Sequence, residues 1–192
     1  WGKVAIGEQN LARVEKVIDN NFYGAREIKD RITEYLASRQ LTEHVSAPVL
    51  CFSGPSGTGK ASLGAAVAEA LNRQIVRFSV AGFSSIAELR GEPHTLEAAM
   101  PGKIMRSLIE TDCINPVFLI EDLDKLAIDE SRVSVALGFI DVIDSRQSRK
   151  YIDEYVALPL DLSQVIFIFS VRSTEMIPEP LLERMDVIEF SG

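Results

Sequence analysis

The chain has 192 residues in ordinary globular proportions, 46% hydrophobic and 25% charged. These proportions set aside disordered and fibrous readings and leave room for one domain with a core, or one domain with a small appendage. Its net charge of −8 argues against nucleic-acid partners, whose phosphates demand a basic surface. No apolar run approaches the ~18 residues of a membrane span. The two cysteines, Cys51 and Cys113, read as buried, reduced thiols rather than a disulfide. The start Trp1-Gly2-Lys3-Val4 carries neither an initiator Met nor a signal-peptide pattern, which suggests an excised fragment.

Residues 8–20 place Leu11, Val14, Val17 and Ile18 at helical spacing, which predicts an amphipathic helix broken at 20–24. A second such stretch runs from Ala25 to about Gln40, with Ile28, Ile32, Tyr35 and Leu36 on one side. The pattern then changes. Residues 48–53 form a buried strand, a Gly-rich turn follows, and a helix extends to about Asn72. Residues 74–80 read as a second strand, and helical patterns cover 84–89 and 102–111. Residues 116–120 are a third strand without an interior polar residue, as expected at the centre of a parallel sheet. A helix is predicted over 130–144, a polar surface loop over 145–155 and a fourth strand over 164–171. A short helix at 179–185 and a last strand at 187–190 complete the order. Alternating strands and helices predict an α/β three-layer fold with a five-stranded, mainly parallel sheet behind two N-terminal helices.

The turn after the first strand reads Gly54-Pro55-Ser56-Gly57-Thr58-Gly59-Lys60-Ala61. It meets the phosphate-loop pattern at Gly54, Gly59 and Lys60 and departs from it at Ala61. Glycines let backbone N–H groups close around a phosphate, the lysine adds charge, and the helix N-terminus adds its dipole. The hydroxyl normally found at the last position would help hold Mg²⁺. ATP or ADP therefore fits the frame, and Mg²⁺ fits it poorly. The third strand ends in Glu121-Asp122. P-loop ATPases use an acidic pair at this place, Asp first for the metal and Glu second for the attacking water. Here the order is reversed, leaving Glu121 a poor metal ligand by length and Asp122 too short to reach the water. The plain alternatives are a solvated strand end for the pair and a solvated helix-start lysine for Lys60. His44 and His94 have no second His or Cys at metal-ligand spacing.

Longer strings sharpen the reading. Phe22-Tyr23-Gly24, residues 34–41, Gly54 to Lys60, Glu88-Leu89-Arg90-Gly91, Ala99-Met100-Pro101-Gly102, residues 115–120, Asp161-Leu162-Ser163 and residues 177–192 together resemble the AAA+ ATPase module of the Lon protease family. The resemblance covers essentially the whole chain. It implies residues 1–40 as a helical lead-in and 41–192 as the P-loop α/β subdomain. A helical lid and a Ser–Lys protease domain would follow Gly192. It also implies a homo-hexameric ring, unfolded protein substrates and a cytoplasmic setting.

Under that resemblance, the position that orients the attacking water carries Arg172 in place of Asn, and arginine can only donate. The aromatic–aliphatic pair of the substrate-gripping pore loop corresponds to Leu96 and Glu97. Arg184 matches the arginine finger that reaches a neighbour's nucleotide; its plain alternative is an ion pair with Glu179, Glu183 or Asp186. Three readings stay open: a degenerate module that hydrolyses little or no ATP, a working unfoldase with unusual ligands, and an interaction scaffold that binds no nucleotide.

Overall fold

The computed structural model describes residues 11–21, 26–41, 49–126 and 130–190. Trp1-Gly2, Phe22-Tyr23-Gly24, His44 and Ser191-Gly192 lie outside them. In chain order the elements are α1 (Leu11–Asn21), α2 (Arg26–Leu41), β1 (Val49–Ser53), α3 (Lys60–Ala70), β2 (Ile75–Ser79), α4 (Ala87–Arg90) and α5 (Lys103–Thr111). They continue as β3 (Val117–Glu121), α6 (Glu130–Ile143), β4 (Tyr151–Ile152), β5 (Pro159–Leu160), β6 (Ile166–Val171), α7 (Glu179–Leu182) and β7 (Met185–Glu189).

Five of these strands form one parallel sheet in the order β2-β3-β6-β1-β7. The expected P-loop α/β architecture and its two N-terminal helices are present. Strand alternation divides the apolar residues between two cores. Leu50, Phe52, Val117, Leu119, Ile166 and Ile168 face a layer that holds α3 together with Ile18 of α1 and Ile28, Ile32, Tyr35 and Leu36 of α2. Val49, Cys51, Phe118, Ile120, Phe167 and Phe169 face the other layer, with Leu89, Ile104, Leu108, Val135, Phe139 and Val142. Every residue of β1 and β6 is buried. Burying each large apolar side chain contributes about 1.5–3 kcal/mol, so the central strands anchor the sheet. The two outer strands, β2 and β7, carry the exposed positions of the sheet.

Strands β1 and β6 are neighbours, yet the chain leaves β1 toward β2 on one side and leaves β6 toward β7 on the other. Their carboxyl ends therefore flank a topological switch point, where open α/β sheets bind ligands. The Gly-rich turn follows β1 at this place.

Two local expectations are corrected. The helix expected over 84–89 is confined to Ala87–Arg90. The Glu88 carboxylate accepts from the N–H groups of Ser84 at 2.6 Å and Ser85 at 3.4 Å, so those residues form a capped turn ahead of the helix. Residues 145–155 are not a surface loop throughout. Ser148, Tyr151 and Asp153 are buried, and Tyr151 pairs with Leu160 in a small antiparallel ribbon of β4 and β5. Both cysteines are buried and free; burial, aided by the negative charge of Asp124, pushes the Cys51 thiol up to about 12.

Candidate nucleotide site

Strand β1 delivers the chain into the loop at Gly54, whose N–H donates to the Val171 carbonyl of β6 at 3.2 Å. Gly54 has φ 149°, and a Cβ there would lie 2.4 Å from the Phe190 carbonyl oxygen. Only glycine fits that close approach of two backbones. Gly59 adopts a left-handed conformation (φ 89°) as the residue capping α3, which turns the chain sharply into the helix. Thr58 Oγ1 donates to the Pro55 carbonyl at 2.9 Å and braces the turn.

Lys60 does not stand free at the helix start. Its Nζ donates to the carbonyls of Gly54 at 2.5 Å and Pro55 at 2.6 Å, and the residue is buried. Burial lowers its pKa, the positive charge of Arg172 adds to that, and Asp124 and Glu121 oppose it. The ammonium thus ties the two ends of the loop together from beneath.

The acidic side of the site is built from β2, β3 and the turn after β3. Glu121 ends β3, and Arg77 of β2 donates to both its carboxylate oxygens, Nε to Oε2 at 2.6 Å and Nη2 to Oε1 at 3.0 Å. Asp122 turns left-handed (φ 64°) ahead of a 3-10 turn at Leu123–Lys125, and its N–H donates to the Ser170 carbonyl at 2.9 Å. Ser79 Oγ donates to Asp122 Oδ2 at 2.7 Å, and Lys125 Nζ lies 2.6 Å from Oδ1. Partial burial pushes the Asp122 carboxyl up. The bonds from Lys125 and Ser79, with the charges of Lys125 and Arg172, outweigh that and hold it below the ordinary value. Asp124 accepts from the N–H of Arg172 at 3.3 Å; its other oxygen is buried without a hydrogen-bond partner among the described residues.

An open pocket of about 410 Å³ lies between the loop and these strand ends, walled by Gly57, Gly59, Lys60, Ala61, Arg77, Glu121, Asp122 and Arg172, with Ser56, Ser62, Ser170 and Val171 completing it. That volume suits a small ligand. Gly57 and Lys60 of the loop line this one pocket together with Glu121 and Arg172, which lie far from them in the chain. Gly54, Pro55 and Thr58 shape the loop from behind, away from the pocket wall.

Arg184 and the Leu96-Glu97 pair lie outside this pocket. Arg184 does not pair with Glu179, Glu183 or Asp186. Its Nε lies 3.5 Å from Asp144 and its Nη1 donates to the Pro180 carbonyl at 2.5 Å; Asp186 is engaged by Arg31 of α2. Leu96 and Glu97 sit on the exposed excursion between α4 and α5, with Leu96 55% exposed. The excursion is pinned at its base: buried Asp153 accepts from the N–H of Gly102 at 2.8 Å and from those of Tyr155 and Val156 at 3.1 and 3.2 Å.

Sequence reasoning missed Arg77, Ser79, Asp124, Lys125 and Asp153. Arg77 left one signal, the lone charge on the edge strand β2. The others act through contacts that depend on the fold.

The family model for AAA, the ATPase family associated with various cellular activities, matches residues 50–192. Lon protease 2 of Herpetosiphon aurantiacus is 42% identical over all of this chain, which spans 24% of that protein. Lon protease of Lachnoclostridium phytofermentans is 40% identical, again with 24% of its length covered. The mitochondrial Lon protease homolog of Kluyveromyces lactis is 37% identical over 17% of its length. The chain thus spans about a quarter or less of these relatives. The matched family, the strand order and the phosphate loop agree, and the chain belongs to the AAA family of ATPases as an AAA+ module of the Lon protease type.

Proposed function

We propose that this chain is a nucleotide-binding AAA+ module that hydrolyses little or no ATP and serves a Lon-like Ser–Lys protease by building its ring and admitting substrate. The observation that carries the reading is the capture of Glu121 by Arg77, which removes the acid from service at the end of β3. Ala61 and Arg172 compound it, one lacking a hydroxyl and the other unable to accept a hydrogen bond from water. Each lost transition-state contact costs about a hundredfold or more in rate, though such losses need not multiply. The loop glycines and the open pocket support continued binding of ATP or ADP.

In this reading Arg184 reaches a neighbouring subunit's nucleotide within a homo-hexamer, and Leu96 with Glu97 contacts unfolded protein. Leu96 offers an apolar grip, whereas Glu97 adds a charge where the family pattern is aliphatic. The setting is cytoplasmic, with a mitochondrial one as the alternative that some relatives' names suggest. A working ATPase is the second reading, favoured by a pocket that is open rather than filled.

Degradation of an unfolded model substrate by the full-length protein separates the two. The proposal expects equal rates with ATP, with a non-hydrolysable analogue and with ADP. Degradation supported by ATP alone would favour the working unfoldase.

A further inference from the structure

The family's Mg²⁺ does not fit the residues present. In P-loop ATPases the ion takes a hydroxyl from the residue after the loop lysine and an acid at the end of the third strand. Here the first position is Ala61, which lines the pocket and brings no oxygen to it. Both oxygens of Glu121 accept from Arg77, in a bidentate, charge-assisted pair. One oxygen of Asp122 accepts from Ser79 and the other lies against Lys125. Every carboxylate oxygen of the acidic pair is therefore engaged by a donor of the protein. Mg²⁺ demands near-ideal octahedral oxygen geometry and sheds water reluctantly, so it competes poorly with an arginine already in place.

The charge that a metal would bring is present in another form. Three cationic side chains, Lys60, Arg77 and Arg172, face two carboxylates around the pocket. Lys60 is spent on the loop carbonyls and Arg77 on Glu121. Arg172 is different. Asp124 holds its backbone N–H, while its guanidinium has no hydrogen-bond or salt-bridge partner among the described residues and stands on the pocket wall. A planar guanidinium matches phosphate oxygens in pairs and stays charged at every physiological pH.

We infer that this pocket binds a nucleoside di- or triphosphate without a divalent cation, with Arg172 supplying the charge and Arg77 withholding Glu121 from any metal. The inference rests on the nucleotide-binding reading above and adds the metal independence and the residues responsible. Arg172 holds phosphate oxygens directly; Arg77 acts through Glu121 and is a positioning residue.

Calorimetric titration of ADP and of a non-hydrolysable ATP analogue into the chain, in Mg²⁺ and then in EDTA, tests it. The expected result is a Kd that agrees within about threefold between the two. In EDTA, Arg172→Gln weakens binding by about tenfold or more, as for a lost hydrogen bond to a charged group. Arg77→Ala frees Glu121, so Mg²⁺ now tightens binding. Binding that weakens more than about tenfold in EDTA overturns the inference and leaves nucleotide binding intact. Unchanged affinity in Arg172→Gln also overturns it. No binding in either buffer overturns the nucleotide-binding reading and the inference with it.

Discussion

Arg77 on the edge strand β2 and Glu121 at the end of β3 form a two-pronged ion pair, at 2.6 and 3.0 Å, across the mouth of the candidate nucleotide site. The parallel register sets Ser79 opposite Glu121, so Arg77 stands two residues back on the same face and reaches forward along the strand. The next residue, Asp122, is held in turn by Ser79 and Lys125. The acidic pair is thereby neutralised within the chain itself.

Removing Arg77 should disturb the site far more than the fold. Its side chain is 57% exposed, and exposed ion pairs contribute at most about 1 kcal/mol. Urea denaturation of Arg77→Ala should show a loss within that bound. A loss several times larger would mean that the pair anchors the sheet edge rather than tuning the pocket.

Asp153 carries the opposite expectation. It is 1% exposed and its carboxylate accepts three backbone N–H groups, one of them Gly102 at the base of the excursion that bears Leu96. The neighbouring Glu154 N–H donates to the Arg90 carbonyl at 2.7 Å, and Tyr151 Oη donates to that of Leu89 at 3.1 Å. Asp153→Ala leaves buried donors unmet, at about 1–3 kcal/mol each when no water replaces the acceptor. The variant should lose at least about 2 kcal/mol in denaturation, and limited proteolysis should cut residues 91–102 faster. Unchanged cleavage would separate the clamp from the excursion.

Acid should weaken the fold through identifiable carboxylates. Partial burial raises the Asp122 and Asp144 carboxyls, but hydrogen bonds outweigh it: from Lys125 and Ser79 on Asp122, and from Arg146, Gln147 and Arg184 on Asp144. Both end below their ordinary value of 3.8. A depressed folded-state pKa gives stability that is present above the unfolded value and lost as pH falls through the folded one. The urea midpoint should therefore hold from pH 7 to about 4.5 and drop below about pH 4. Asp144→Asn should start less stable at pH 7 and lose less on acidification; a parallel drop in both proteins would assign the acid loss elsewhere.

Much of this architecture can be read from the residues in order. The central strands announce themselves as apolar runs such as Val117-Phe118-Leu119-Ile120, because both faces are buried and no polar residue is tolerated. The phosphate loop is legible because its backbone needs glycine at Gly54 and Gly59. What stays hidden depends on partners far away in the chain. Arg77 meets Glu121 only because β2 lies beside β3 in one particular register. Asp153 looks like a surface acid in a polar stretch, and its burial makes sense only once three N–H groups are found around it. Lys60 carries a motif's expected charge, yet its turn back onto Gly54 and Pro55 is a matter of loop geometry that no spacing reveals.

In the proposed function, the joint change at Ala61, Glu121-Asp122 and Arg172 leaves a module that holds nucleotide without turning it over. Steady-state ATP hydrolysis by the full-length protein with Mg²⁺, beside its Lys60→Ala variant, tests this most directly. Enzymes typically turn over at about 10 s⁻¹. The expected rate is below about 0.1 s⁻¹, unchanged by the substitution. Mg²⁺-dependent turnover of about 1–10 s⁻¹ that Lys60→Ala abolishes would contradict it.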